Sequence, residues 1–177
     1  MLLQTELLSS LAEVSATFAG FAALVTLFAR KRVQGGAAHD LLRLRLVIGA
    51  SIVLVMAALT PIAVSGMGLS ETFTWQLSAL AFLALIGFLI GNFVMSYKTV
   101  KGSFPPDRLA ATVALVLAVP VNFALFSIFF NATATHHTFY VAALIGTLGQ
   151  ASFVFLRLVE STFTNIVYQP TTVASTL

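Results

Sequence analysis

The feature that most constrains this chain is a succession of five apolar stretches, each long enough to cross a bilayer as a helix. A bilayer core about 30 Å thick needs about 20 apolar residues at helical rise, and a helix bonds its own backbone groups where no water can. The sequence therefore predicts an all-α integral membrane bundle of five transmembrane helices that forms one domain over residues 1–177. The predicted spans are 7–29, 46–65, 75–97, 109–130 and 139–159.

The composition agrees with lipid as the main solvent of this chain. Hydrophobic residues make up 59% of the sequence and charged residues only 8%, which lies far outside the range of soluble domains. The 16 Phe residues suit contact with lipid tails, because Phe has no polar tip to satisfy. Glycine and proline interrupt the apolar stretches and mark short loops, none of which is long enough to fold separately.

The basic residues predict an orientation. If five spans alternate in direction, all nine Lys and Arg residues fall on one side, and these are Arg30, Lys31, Arg32, Arg43, Arg45, Lys98, Lys101, Arg108 and Arg157. The positive-inside rule then places the N-terminus outside and the C-terminus in the cytoplasm. In a rival arrangement the first segment lies on the membrane surface and four spans remain, although this leaves the apolar run 18–29 at the surface.

Several function classes are not expected. The net charge of +3 comes from basic residues spread over short loops, so no dense patch for nucleic acid is predicted. The chain has no cysteine, which excludes a thiolate metal site and Cys-based catalysis. No span carries an HExxH motif, paired aspartates or a Ser with a base, so we expect no enzyme, no cofactor and no metal site.

Polar and small residues inside the spans are candidates for helix packing. Asn92, Asn122 and Gln150 each lie in a span, where an unpaired amide is costly; they either bond neighbouring helices or contact a substrate or ion. Rows of small residues predict close helix approach within the chain, with a dimer face as the alternative; these rows are Ala12-Ala16-Gly20, Gly87-Gly91 and Gly146-Gly149.

The first span contains a carboxylate at Glu13, about 10 Å along the helix from Glu6. At about 100° per residue, one stripe of this helix carries acidic residues, then small and hydroxyl residues, then bulky apolar residues and finally a basic residue. The predicted stripe is Glu6, Ser10, Glu13, Thr17, Gly20, Leu24, Phe28 and Lys31. The alternative is that Glu13 is protonated, or paired with Asn, Gln or Ser inside one chain.

This stripe favours a homo-oligomeric channel that conducts inorganic cations along the first helices. Several copies around an axis would place Glu6 and Glu13 in rings that concentrate cations, and Leu24 with Phe28 could close the path by dewetting. A small secondary transporter with a polar site at mid-membrane is a second hypothesis. A scaffold or accessory subunit that works through protein contacts is a third.

The order along the stripe resembles the pore helix of the Orai calcium channels, in which an outer glutamate ring precedes a hydrophobic section and a basic inner section. The likeness covers one helix, the chain here runs in the opposite direction with Glu13 before Arg30, and that family has four spans. The run from Val14 to Val25 also looks like the first helices of small bacterial membrane proteins whose activity is not characterised. That resemblance implies no activity. We expect the protein in the inner membrane of a bacterium, with the lipid bilayer and further copies of the chain as partners.

Overall fold

The computed structural model describes residues 2–30, 37–100, 108–130 and 135–167. Over these residues the chain forms five helices and no strand. The helices are α1 (Leu2–Arg30), α2 (Ala37–Ser65), α3 (Glu71–Val100), α4 (Arg108–Phe129) and α5 (His136–Val167). Each contains a stretch long and apolar enough to cross a membrane, which confirms the all-α class and the number of apolar helices in the described part.

The helices extend beyond the apolar stretches that predict them. α2 already begins at Ala37, before the span predicted from residue 46, and α5 continues to Val167, past the predicted end at 159. Apolar content marks only the part of a helix suited to lipid, whereas the polar turns at its ends still form backbone hydrogen bonds. The first helix meets the same criterion as the other four, over Thr5–Val25.

Consecutive helices run in alternating directions. The rings of Phe18 on α1 and Phe155 on α5 lie 5.3 Å apart, which brings the later halves of these two helices together. The start of α1, the end of α2 and the start of α3 meet around one cleft. We call this end, which carries Glu6 and Glu71, the acidic end, and the opposite end, which carries Arg45, Lys98 and Arg157, the basic end.

The core lies between α2 and the helices around it. Its largest fully buried side chains come from four helices and are Leu54, Phe82, Leu125, Ile128, Tyr140 and Leu144. A second, smaller cluster joins Ala22, Val47 and Phe155 nearer the basic end. Apolar helices of this length gain little from hydrophobic association in lipid, where dense packing of such side chains would hold them together.

A hydrogen bond between helices satisfies a carbonyl oxygen of α2 that has no donor within its own helix. Pro61 lies inside α2 and has no N–H, so the carbonyl of Ala57, one turn earlier, loses its helical donor. The hydroxyl of Tyr140 on α5 donates to this carbonyl oxygen at 2.8 Å, and lies 3.5 Å from the carbonyl oxygen of Ser78 on α3. One buried phenol therefore joins three helices at the point where α2 is interrupted.

The short loop between α2 and α3 is fully described. The N–H of Met67 donates to the Val64 carbonyl at 3.0 Å, and Gly68 has a φ of 72°, a conformation that side chains with a Cβ rarely adopt. The N–H of Phe73 then donates to the Ser70 hydroxyl at 3.4 Å, so Ser70 caps α3. Glu71 follows in the first turn, where the helix dipole favours an acidic residue.

Removal of the Tyr140 hydroxyl tests the role assigned to it. Tyr140→Phe leaves the Ala57 carbonyl buried without a donor, so we expect the free energy of unfolding in mixed micelles to fall by about 1–3 kcal/mol. Pro61→Ala restores an N–H that can bond this carbonyl. The loss from Tyr140→Phe should therefore be smaller in the Pro61→Ala background, with a coupling energy of about 0.5–3 kcal/mol. Equal losses in both backgrounds would contradict this assignment.

Candidate functional site

One face of α1 packs against the rest of the chain. Leu8, Ala12, Ser15 and Ala22 are buried, and they lie on the side that contacts α2 and α5. The hydroxyl of Ser15 donates to the Leu11 carbonyl of its own helix at 2.7 Å, so it needs no partner on α2. Small side chains on this face let α1 and α2 approach closely.

The predicted pore-lining stripe lies on roughly the opposite side of α1. All of its members with described side chains are exposed, and these are Glu6, Ser10, Glu13, Thr17, Gly20 and Leu24. The side chain of Phe28 lies outside the described residues, and so does Lys31. Thr17 donates to the Glu13 carbonyl oxygen at 2.9 Å, and a Cβ at Gly20 would meet no atom within 4 Å.

A third face of α1 is exposed and apolar. Leu7 is 46% exposed, Val14 53% and Phe21 57%, and this spacing of seven residues places them on one line along the helix. Lipid tails can cover such a line without cost. The exposed surface of α1 is therefore divided into an apolar line suited to lipid and a polar stripe that is not.

Glu13 lies close to the middle of the apolar part of α1. It is two residues from the centre of Thr5–Val25, which is about 3 Å along the helix axis. Among the described residues no hydrogen bond or ion pair reaches its carboxylate, so pairing within one chain is not seen there. A charged residue at this depth costs about 2.5–3.5 kcal/mol on membrane insertion scales, unless protein or water meets it.

The three amides within the apolar stretches have separate surroundings. Gln150 on α5 donates to the Ala114 carbonyl of α4 at 3.0 Å, which is a bond between helices. Asn122 on α4 donates to the carbonyl of Ala118 in its own helix at 2.8 Å, and Ala118 precedes Pro120 by two residues. Asn92 is exposed on α3 and lines a small cleft of about 30 Å³ beside α2. No hydrogen bond joins any two of these amides in the described structure, so they do not form one polar site.

The glycine rows differ in what they contact. A Cβ at position 146 would lie 2.7 Å from Cγ2 of Val121, so Gly146 does permit close packing of α5 on α4. Gly87, Gly91 and Gly149 have nothing within 4 Å of such an atom. The prediction that Gly87 and Gly91 mark packing within the chain is therefore wrong, because the face of α3 that they share is exposed. It is wrong for Gly20 and Gly149 as well, since no other described part of the chain approaches them.

The cleft at the acidic end was not predicted from the sequence. It has a volume of about 180 Å³ and lies between α1, α2 and α3, with Glu71 and Trp75 on its α3 side. A signal was present, since these two residues stand four apart at the start of a helix and so share a face. The residues from α1 and α2 that complete the cleft carry no motif that would have joined them to it.

The fold and the polar stripe of α1 define a class of protein. It is a bundle of five apolar helices of membrane-spanning length, whose first helix exposes a carboxylate near its middle. Comparisons of the chain with protein-family models, with curated proteins and with solved structures gave no match. The function is therefore argued from the residues and their geometry alone.

The different surroundings of two amides give a prediction about stability. Gln150→Leu removes the bond to the Ala114 carbonyl, so we expect a loss of about 0.6–2 kcal/mol in the free energy of unfolding in mixed micelles. Asn92→Leu, at a site without a hydrogen bond among the described residues, should change it by less than about 0.5 kcal/mol. An equal loss in both variants would show that Asn92 also holds helices together.

Proposed function

We propose that the chain is an integral membrane protein that assembles as a homo-oligomer and conducts cations along a path lined by the α1 helices. Each copy contributes its polar stripe to the central axis, while its apolar line faces lipid. The oligomer is required because a chain of five helices encloses little space of its own, and because cyclic assemblies place the same face of every copy on one axis.

The observation that carries this proposal is the position of Glu13. Its carboxylate is exposed on the chain and lies near the middle of the apolar part of α1. Ionisable residues at such depth face the interior of a bundle or a water-filled cavity, because lipid solvates them poorly. A water-filled axis between copies meets that requirement, whereas lipid around a single chain does not.

The order of residues along the stripe suits cations. Glu6 and Glu13 would form two acidic rings that raise the local concentration of cations. Thr17 and Gly20 follow and leave space beside the axis. Leu24, which is 54% exposed on the single chain, would form an apolar constriction that can close the path by dewetting.

The charge distribution supports the orientation in this proposal. Arg45, Lys98 and Arg157 lie at the basic end, and the acidic end has no Lys or Arg among the described residues. The positive-inside rule then places the acidic end and the N-terminus outside, with the C-terminus in the cytoplasm. Cations would enter through the glutamate rings from the outside of a plasma membrane, and we place the protein in the inner membrane of a bacterium.

The two other hypotheses receive less support from the geometry. A transporter needs polar groups that converge at mid-membrane, whereas Gln150 and Asn122 bond to backbone carbonyls and Asn92 faces outward. An accessory subunit would place a different protein on the polar stripe of α1. It would then show no ion flux by itself.

Removal of one charge tests the proposed path. In liposomes that contain the purified protein, Glu13→Gln should lower the cation flux, or the preference for cations over anions, by at least about tenfold, because the inner of the two acidic rings is lost. Glu160→Gln is the matched control, since Glu160 lies toward the basic end, where it pairs with Arg157 at 2.9 Å. Its flux should equal that of the unchanged protein. Flux that is unaffected by Glu13→Gln, or absent in the unchanged protein, would contradict the proposal.

A further inference from the structure

The cleft at the acidic end has the lining of a binding site. It opens between the start of α1, the end of α2 and the start of α3 and has a volume of about 180 Å³, which is enough for a ligand of a few non-hydrogen atoms. Leu8 and Pro61 form apolar walls, and Ser65, Glu71, Thr74 and Trp75 add polar and aromatic groups. A small number of polar groups on an apolar surface is typical of small-molecule sites.

The two hydroxyls contributed by α2 and α3 can act only as acceptors. Ser65 donates its hydrogen to the Ile62 carbonyl at 2.8 Å, and Thr74 donates to the Ser70 carbonyl at 3.1 Å. A hydroxyl has one hydrogen and two lone pairs, so each oxygen retains acceptor capacity after this bond. The Glu71 carboxylate, when ionised, also only accepts. These three acceptors together complement a ligand with several hydrogen-bond donors.

The aromatic wall is held in place. Trp75 is only 6% exposed, and its ring lies 5.6 Å from that of Tyr140 and 6.5 Å from that of His137. Tyr140 is itself fixed by its bond to the Ala57 carbonyl. Tryptophan is the side chain that attracts cations most strongly through its ring face. A rigid indole beside a carboxylate therefore favours a positively charged ligand.

Among the described residues, no Lys or Arg pairs with this carboxylate. The Lys and Arg residues of the described part lie toward the basic end. The N-terminus of α3 would attract an anion, but Glu71 in the first turn already provides that negative charge. The cleft thus contains a carboxylate without an ion-pair partner among the described residues.

We propose that this cleft binds a small protonated primary amine. The ammonium group donates to Glu71, Ser65 and Thr74 beside the Trp75 ring, and the alkyl part lies on Leu8 and Pro61. This site is separate from the polar stripe of α1, so the inference goes beyond the proposed channel and does not depend on it.

The sequence provides a direct reporter of binding, because Trp75 is the only tryptophan in the chain. We would titrate the full-length protein in detergent micelles at neutral pH and follow its tryptophan fluorescence. The probes are butylammonium, butan-1-ol and butyrate, which share a chain of four carbons and differ in the polar group. Butylammonium should give a saturable change, and the other two should not at the same concentrations. Saturation by butan-1-ol would show an apolar cleft only, saturation by butyrate an anion site, and either result would overturn the proposal.

Variants and chain length sharpen the test. Glu71→Gln should weaken butylammonium binding at least about tenfold, because a hydrogen bond between charged groups is lost. Glu160→Gln, toward the other end of the chain, should bind as the unchanged protein does. Binding should also strengthen up to about fourfold for each methylene from methylammonium to butylammonium, as apolar burial increases. Equal binding by Glu71→Gln would overturn the assignment of the ammonium to this carboxylate.

The two proposals fail separately in these experiments. The probe series on the unchanged protein needs no variant, so it decides the amine site even if Glu71→Gln does not fold. Fluorescence reports the cleft whether or not liposomes show ion flux. A saturable amine signal without flux would therefore reject the channel alone, and flux without an amine signal would reject the amine site alone.

Discussion

The rest of the structure depends on one constraint: in lipid, backbone and side-chain polar groups must find partners inside the protein. The helices meet it for the backbone. Buried hydroxyls meet it locally, as when Ser51 donates to the Val47 carbonyl at 2.9 Å and Thr147 to the Ala143 carbonyl at 2.8 Å. Where Pro61 interrupts this pattern, a tyrosine from another helix supplies the missing donor. A carboxylate that the chain leaves exposed near the middle of an apolar helix is then the exception that points to the proposed function.

Glu13 is that exception, and its meaning comes from the division of α1 into three faces. The packed face contacts α2 through small residues, and the apolar line of Leu7, Val14 and Phe21 suits contact with lipid. Over its described residues, the polar stripe is neither packed against another helix of the chain nor suited to lipid. A helix that served only to anchor the chain would need two faces, one packed and one apolar. In the proposed channel, water along an axis shared between copies would solvate the third face.

Much of this fold could be predicted from the sequence, because membrane spans depend on length and apolar content, which are local properties. The stripe of α1 could also be predicted, since helical periodicity alone groups Glu13 with Thr17. Which groups meet across helices could not. Pro61 marks the Ala57 carbonyl as lacking a helical donor, but Tyr140 is 83 residues from Ala57 and no sequence pattern identifies it as the partner. Gly87 and Gly91 show the same limit, because spacing identifies a shared face but not what covers it.

The most direct measurement of the central claim is the access of water to the exposed faces of α1. The chain has no cysteine, so single cysteines report one position each. Three positions on the polar stripe are paired by depth with three on the apolar line: Ser10 with Leu7, Thr17 with Val14 and Leu24 with Phe21. In native membranes, a charged, water-soluble thiol reagent should modify the stripe positions at Ser10 and Thr17 faster than their partners, and the Leu24 pair should differ only when the path is open. Equal modification within the first two pairs, or faster modification of the apolar line, would contradict a water-filled axis along α1.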